Sequence, residues 1–276
     1  MIRLSMMARE TTTTRIDSAL DLARRLELDG VDLHLGGMSR DPEYLRQLKL
    51  GCLRRGLTIG YLGGGTFVGP PEEAAARLAQ GKADVDLAAQ LGAQLLRVFA
   101  RHRWPETEAE QEALWRPMIA SFQELAEYAA ARHVAVGLQN HDESSFAMAA
   151  WQVKRILEEV GRDNFTFIMD TGQWQGAIGS HPRGERDPQV DLYEDYLRPT
   201  APLAAYVRAK IYEIDGGQEE WLDYGRILAI LREARYNGAL GMVFELGDRN
   251  ACDFERAAEL ATRHLREIIA WTCGAA

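Results

Sequence analysis

Several apolar runs in this chain stop abruptly at polar residues that can move protons or hold a ligand. Val-Ala-Val-Gly-Leu ends in Gln139-Asn140-His141-Asp142, and Phe-Thr-Phe-Ile-Met ends in Asp170-Thr171-Gly172-Gln173-Trp174. Another run carries Arg208, Lys210 and Glu213, one closes on Asp32 and His34, one holds Arg97, and the last closes on Glu245. Asp170 and Glu245 are candidate catalytic carboxylates, and Lys210 is an anion binder or, with its pKa lowered by burial, an acid or base. Gln139, His141, Gln173, Arg208 and His34 are candidate ligand contacts, and Trp174 can wall a ligand ring or pack beneath its own loop. Each has a plainer role too. Asp170 or Glu245 can simply pair with Arg208, Lys210 can bridge to Glu213 or Glu245, and the amides and imidazoles can tie strand ends together. Arg97 and Arg101 leave room for an anionic group such as phosphate or carboxylate.

The elements that must position these residues alternate regularly. Strands are expected at Ile2–Met6, Gly30–His34, Thr58–Leu62, Leu95–Phe99, Val134–Asn140, Phe165–Asp170, Ala205–Ile211 and Gly241–Glu245. Amphipathic segments such as Ile16–Leu26, Glu73–Leu91, Glu112–Ala131 and Ile227–Ala234 lie between them. Strand followed by helix, eight times over, implies parallel strands and a single (β/α)8 barrel over residues 1–276. A doubly wound open sheet uses the same units, but no GxGxxG opens the first helix. Helix-to-strand connections are short and glycine-bearing, as at Gly30, Gly56, Gly92, Gly161 and Gly238, which fits left-handed helix caps. Strand-to-helix connections are longer: Gly63–Pro71, Ala100–Glu112 and Thr171 to about Pro188. In a barrel those loops share the C-terminal rim, where a site is built. Side chains alternate along a strand, so Arg208 and Lys210 share a face, and the same parity sets Gln139, Asp170 and Glu245 with them in a ring inside the mouth.

Composition narrows the class. With 46% hydrophobic and 26% charged residues the chain is globular, and its formal charge of −9 argues against a nucleic-acid backbone as partner. No apolar stretch suits a membrane helix, and Met1–Glu10 does not read as a signal peptide, so a cytoplasmic protein is expected. Cys52, Cys252 and Cys273 form no CxxC pair, which argues against structural zinc and a disulfide framework. The glycine run Gly63–Gly65 after Tyr61 is not a P-loop, since no GK[ST] follows; it turns the chain or lets backbone approach a ligand. His133 and His264 read as surface residues, His102 and His181 as loop residues able to belong to lids, and Asp223 as a helix N-cap.

Five motifs in order, LQNH at 138–141, MDTGQW at 169–174, VRAKIYEID at 207–215, GGQEEWLDYGRIL at 216–228 and YNGALGMVFELG at 236–247, together with DGVDLHLGG at 29–37, resemble the sugar phosphate isomerase/epimerase-like proteins of the xylose-isomerase-like barrel superfamily. The resemblance implies a small sugar-like substrate, possible homo-oligomers and a divalent Mn or Mg centre. That centre is held by a Glu ending strand five, an Asp ending strand six, a His on strand seven and a Glu ending strand eight. In epimerases of this type the two Glu ligands also move a proton on opposite faces of the sugar through an enediolate-like intermediate. The Asp corresponds to Asp170 and the last Glu to Glu245.

The remaining positions depart from that pattern. Gln139 stands for the first Glu and cannot be a base; Arg208 stands for the His and cannot ligate; Gln173 replaces a His that many members show. Asp170 and Glu245 supply two negative charges and Arg208 and Lys210 two positive ones, so the ring is neutral without an ion. The expectation is therefore no tightly bound metal, with Arg208 in or near the ion's space and paired to Asp170 or Glu245. The rival is a rebuilt site using Asp170, Glu245, Gln139 and His141, with His34 as a further ligand. The expected function is an isomerase or epimerase acting on a carbohydrate or related keto compound, with Asp170, Glu245 and Lys210 handling protons and oxyanion. A lyase or dehydratase on the same scaffold, and a non-catalytic sugar-binding or partner barrel, are the alternatives.

Overall fold

Short aliphatic runs pair as parallel strands in chain order: β1 (Arg3–Met7), β2 (Gly30–His34), β3 (Thr58–Thr66), β4 (Leu95–Phe99), β5 (Ala135–Gln139), β6 (Phe165–Asp170), β7 (Ala204–Ile211) and β8 (Ala239–Phe244). β8 pairs back onto β1, so the sheet closes into a barrel, as expected over the open alternative. This computed structural model describes residues 2–8, 16–142, 144–178, 186–245 and 250–274. Around the barrel lie α1 (Ile16–Arg25), α2 (Pro42–Arg54), α3 (Ala74–Leu91), α4 (Glu108–Ala130), α5 (Ala150–Val160), a short α6 (Arg198–Thr200) behind a π-helical turn at Leu192–Leu197, α7 (Tyr224–Glu233) and α8 (Phe254–Gly274). Among the described residues no helix is long and apolar enough to cross a membrane.

Helix starts and stops follow local chemistry. Asp41, Thr107, Asp191 and Asp223 each accept a backbone N–H from the first turn that follows, Asp223 from Arg226 at 3.0 Å. Gly92 and Gly161 close α3 and α5 in the left-handed region, at φ 80° and 54°. After α1 and α7 the left-handed residues are Glu27 and Arg235, not the glycines at 30 and 238 that the sequence suggested.

The core has two shells. Leu20, Val85, Phe122, Val153, Phe167 and Leu231 pack between strands and helices, and a smaller cluster of Tyr61, Leu95, Ile168 and Tyr206 fills the middle of the lumen. A register shift between β2 and β3 puts an extra residue on β3, so that Gly60 and Tyr61 both face inward. β3 also runs on through the glycine run to Thr66, so that run is strand rather than turn.

Below Tyr61, Asp32 is fully buried. Its carboxylate accepts the Tyr206 hydroxyl at 2.6 Å and the Ser5 hydroxyl at 3.3 Å, and Ser5 also contacts Tyr206. Gly60 and Gly241 flank it where any Cβ would strike its oxygens. Lower still, Ser5, Gly30, Ala135, Thr166 and Ala239 are too small to fill the barrel, and a cavity of about 560 Å3 opens at its N-terminal end. Asp170, Lys210 and Glu245 do not line that cavity.

Burial raises the Asp32 pKa to about 6, against the pull of Tyr206, Arg208, Ser5 and the Tyr61 N–H. Raised above the unfolded value of 3.8, the group contributes stability that is complete at low pH and lost as pH climbs through about 6. Asp32→Asn is expected to remove that loss. In denaturant titrations the wild-type minus mutant difference should fall from about pH 4 to about pH 6 and level off above. A difference that is flat throughout would mean Asp32 ionises at its ordinary pKa.

Candidate active site

At the C-terminal mouth the strand-end residues form a connected polar layer. β6 delivers Asp170 fully buried; its Oδ1 accepts the Gly172 N–H at 3.1 Å, and its backbone N–H donates to Asn140 Oδ1 at 2.8 Å. Asp170 Oδ2 accepts Arg208 Nη1 at 2.7 Å and Gln139 Nε2 at 3.3 Å. Arg208, from β7, is 5% exposed and also donates Nε to the Tyr61 hydroxyl at 3.0 Å. β6 and β7 pair Asp170 directly with Arg208, so the ion pair follows from register.

Two residues further along β7, Lys210 projects on the same side. Its side chain is 3% exposed, with Nζ 2.6 Å from Glu245 Oε1 and 3.9 Å from Asp170 Oδ2. Glu245 follows β8, and 42% of its side chain is open to solvent. Partial burial works to raise its pKa, but Lys210, helped by Arg208, outweighs this and holds the carboxyl below the usual range. Thr171 accepts the Lys210 backbone N–H at 3.0 Å, and the Tyr224 hydroxyl donates to the Lys210 carbonyl at 2.6 Å. The lysine is thereby held from both ends.

The opposite wall is built by β2 to β5. Arg97 donates Nη1 to Gln139 Oε1 at 3.2 Å and lies 3.5 Å from His34 Nε2. Its guanidinium is 4.2 Å from the Phe99 ring centre. Gly63 makes this possible, since a Cβ there would come within 2.8 Å of Arg97 Nη2. His34 sits at the mouth; burial and the nearby Arg97 and Arg208 hold its pKa below the usual imidazole value.

The structure brings Asp170, Arg208, Lys210, Glu245 and Gln139 into one ring and sets the other candidates around it. His141 packs edge-on against Phe99 with its Nδ1 3.1 Å from Asp142 Oδ1. The Gln173 side chain bonds the Tyr212 hydroxyl, and its carbonyl accepts Asn140 Nδ2 at 2.7 Å. Trp174 does not face the mouth. It is buried in the outer shell, stacked on Tyr196 with ring centres 5.0 Å apart and edge-on to Phe167. The plainer reading, packing beneath its own loop, is the one the structure adopts. His264 is also buried, edge-on to Tyr224, rather than on the surface; His133 is exposed. His102 packs against Phe146 in its loop, and His181 lies outside the described residues. Tyr61, given no role by the sequence alone, links the lumen to Arg208; the extra residue on β3 that turns it inward leaves no signal in the sequence.

The donors of the implied metal centre are committed elsewhere. Asp170 Oδ2 faces Arg208, Glu245 Oε1 faces Lys210, the Gln139 carbonyl faces Arg97, and a guanidinium stands in the histidine position. Among the described residues no three His, Cys, Asp or Glu side chains converge as a metal site.

Removing one member of a buried pair strands the other's charge, at a cost of about 3–5 kcal/mol. Asp170→Asn and Arg208→Met are each expected to destabilise on that scale, and the double variant by clearly less than their sum. Urea titrations of the four proteins check this; strict additivity would show that the pair carries no coupling.

The chain matches the model of the xylose isomerase-like TIM barrel over residues 20–268. No protein of curated function matches it by sequence. Among solved structures it resembles an L-ribulose 3-epimerase (TM-score 0.74, 18% identity, covering 98% of this chain and 94% of that one). It also resembles a D-allulose 3-epimerase from Methylomonas sp. (0.72, 17%, 97% and 98%) and a xylose isomerase domain protein from Planctomyces limnophilus (0.69, 18%, 99% and 98%). At these identities the solved structures speak for the fold. The match across the barrel and the closed eight-strand topology place the chain in the xylose isomerase-like TIM barrel family.

Proposed function

We propose that this protein is a sugar isomerase- or epimerase-type enzyme that transfers a proton beside the carbonyl of a polyhydroxylated keto compound, without a divalent ion. One observation carries the reading: a buried lysine held 2.6 Å from a half-open carboxylate and 3.9 Å from a buried one, at the strand ends of this fold. Glu245, ionised and open to the mouth, takes the proton from carbon. The C–H electron pair moves into the carbon–carbon bond and the carbonyl π pair onto oxygen, giving an enediolate. Lys210 and Arg208 face that oxyanion as fixed cations, a preorganised stabilisation that costs no reorganisation in the step. The donor set does not fit a divalent ion: Asp170 Oδ2, Glu245 Oε1 and the Gln139 amide oxygen already accept from a guanidinium, an ammonium and a guanidinium, and Arg208 cannot ligate.

Gln139 cannot serve as a second base, which favours isomerisation over two-base epimerisation. Glu245 returns the proton to the neighbouring carbon while the hydroxyl proton of the first carbon's oxygen passes to the oxyanion, leaving the new carbonyl on the first carbon. Lys210 beside Glu245 also supplies an acid for a leaving hydroxyl, so dehydration is the second reading. Incubation with a panel of ketoses and aldoses in D2O, followed by proton NMR, tests the proposal. Deuterium should enter at the carbon beside the carbonyl, and Glu245→Gln should slow this by about 10²–10⁴-fold with the barrel intact by circular dichroism. Sugars that shift the melting temperature but never exchange would make this a binding protein.

The acid limb of the rate profile should lie below the ordinary carboxylate range, because Lys210 holds Glu245 low and the base is lost only as pH falls through that depressed value. Lys210→Met should move the limb to higher pH. Activity should survive EDTA. Near-stoichiometric Mn, Mg or Zn in tag-free protein, with activity lost on chelation, would sink the metal-independent mechanism. Gln139→Glu combined with Arg208→His, which restores the family's ligand types, is expected to create divalent-ion binding measurable by calorimetry.

A further inference from the structure

Among the described residues Arg97, Lys210 and Arg208 lie at the mouth, and two of the three pair with a carboxylate. Asp170 is taken by Arg208 and Glu245 by Lys210. Arg97 is 2% exposed, and among the described residues no carboxylate pairs with it. Its neighbours are the neutral Gln139 amide, the His34 ring and the faces of Phe99 and Tyr61. Its Nε–H has no hydrogen-bond partner among the described residues. Burial lowers its pKa to about 10, so it stays charged at neutral pH. The nearest acid below, Asp32, is occupied by Tyr206 and Ser5. A buried charge without a partner is costly, as Arg208, equally buried but paired, makes plain by contrast. The fold nevertheless gives up a side chain at Gly63 to seat this guanidinium. In an eight-strand barrel β4 lies across the lumen from β8, so Arg97 faces Glu245 from the opposite wall.

We propose that Arg97 binds a carboxylate at the far end of the substrate, which makes the substrate class an acidic sugar, a polyhydroxylated acid of the hexuronate kind. The inference rests on the sugar reading above and adds the anion. A guanidinium's planar fork matches a carboxylate, and a single positive charge suits a monoanion rather than a phosphate dianion. Anchored at β4, such a molecule reaches across to present its carbonyl end to Lys210 and Glu245.

Calorimetry and thermal shift with D-glucuronate and D-galacturonate, against glucose, galactose, fructose, glucose 6-phosphate and pyruvate, test this on wild type, Arg97→Met and Arg97→Lys. A charge-assisted contact predicts that wild type binds the uronates about tenfold or more tighter than the neutral hexoses. Arg97→Met should lose that preference, keep the weak neutral binding, and melt no lower than wild type, since it replaces an unpaired charge with an apolar group of similar size. Arg97→Lys should retain part of the preference. Equal binding of acidic and neutral sugars, or a preference that survives Arg97→Met, overturns the proposal while leaving the sugar reading standing. Preference for the 6-phosphate overturns the carboxylate. Arg97-dependent binding of pyruvate with no discrimination for uronates would keep the anion site and defeat the sugar reading instead.

Discussion

Arg208 sits where the fold has least tolerance for charge, in the barrel lumen, with Asp170 at 2.7 Å on one side and Tyr61 at 3.0 Å on the other. Each ion offsets much of the desolvation cost that the other would bear alone. Much of the mouth is arranged around this pair. Asn140 fixes the strand end that carries Asp170 by bonding its backbone N–H and, through Nδ2, the Gln173 carbonyl. Tyr61, placed inward by the extra residue on β3, closes the ring from below and packs edge-on against Tyr206 at 5.2 Å. The arginine is therefore a structural centre of the lumen as well as a cation facing the mouth.

With Asp170 neutralised, Lys210 is left to set the state of Glu245. Lys210 lies on β7, and Glu245 directly follows the paired strand β8 with its backbone N–H donating to the Ile211 carbonyl at 2.8 Å, so their contact comes with the sheet. The ammonium beside it favours the ionised form of this carboxyl by direct attraction. Depth divides the roles: Asp170 and Arg208 are buried, whereas Glu245 is part-open and the group able to meet a ligand first.

The barrel was legible because its two signals are independent of detail. Eight apolar runs alternate with helical periods, and polar residues gather where runs end; the expected bounds of β2, β4 and β6 agree with the structure residue for residue. That Arg208 pairs with a carboxylate was also accessible from parity and charge counting, but whether with Asp170 or Glu245 was settled only by the strand register. Other features depended on three-dimensional placement. The glycines at 63–65 suggested a turn or a backbone approach to a ligand, yet they continue β3, where Gly63 and Gly64 leave space for the Arg97 side chain and backbone. Trp174 lies four residues past an inward aspartate, but the chain leaves the strand at Thr171, so strand parity no longer fixes its direction and apolar packing against Tyr196 and Phe167 decides it. His264 looked like a surface residue on a helix whose register against Tyr224 no sequence pattern discloses.

On the proposed reading fixed cations stand in place of a metal, and that changes what such a mouth can do. A divalent ion binds two substrate oxygens at once and draws electron density from both as a Lewis acid. A guanidinium and an ammonium offer directed N–H donors and full charge, but they stabilise negative charge only where it develops. That arrangement discriminates strongly between a neutral ground state and an anionic intermediate, provided the donors are already aimed and dry. Here both conditions hold through the same contacts: Arg208 is immobilised by Asp170 and Tyr61, and Lys210 by Glu245 and by the Thr171 and Tyr224 bonds to its backbone. The two ion pairs that hold the lumen together are thus also what aims its cations at the mouth.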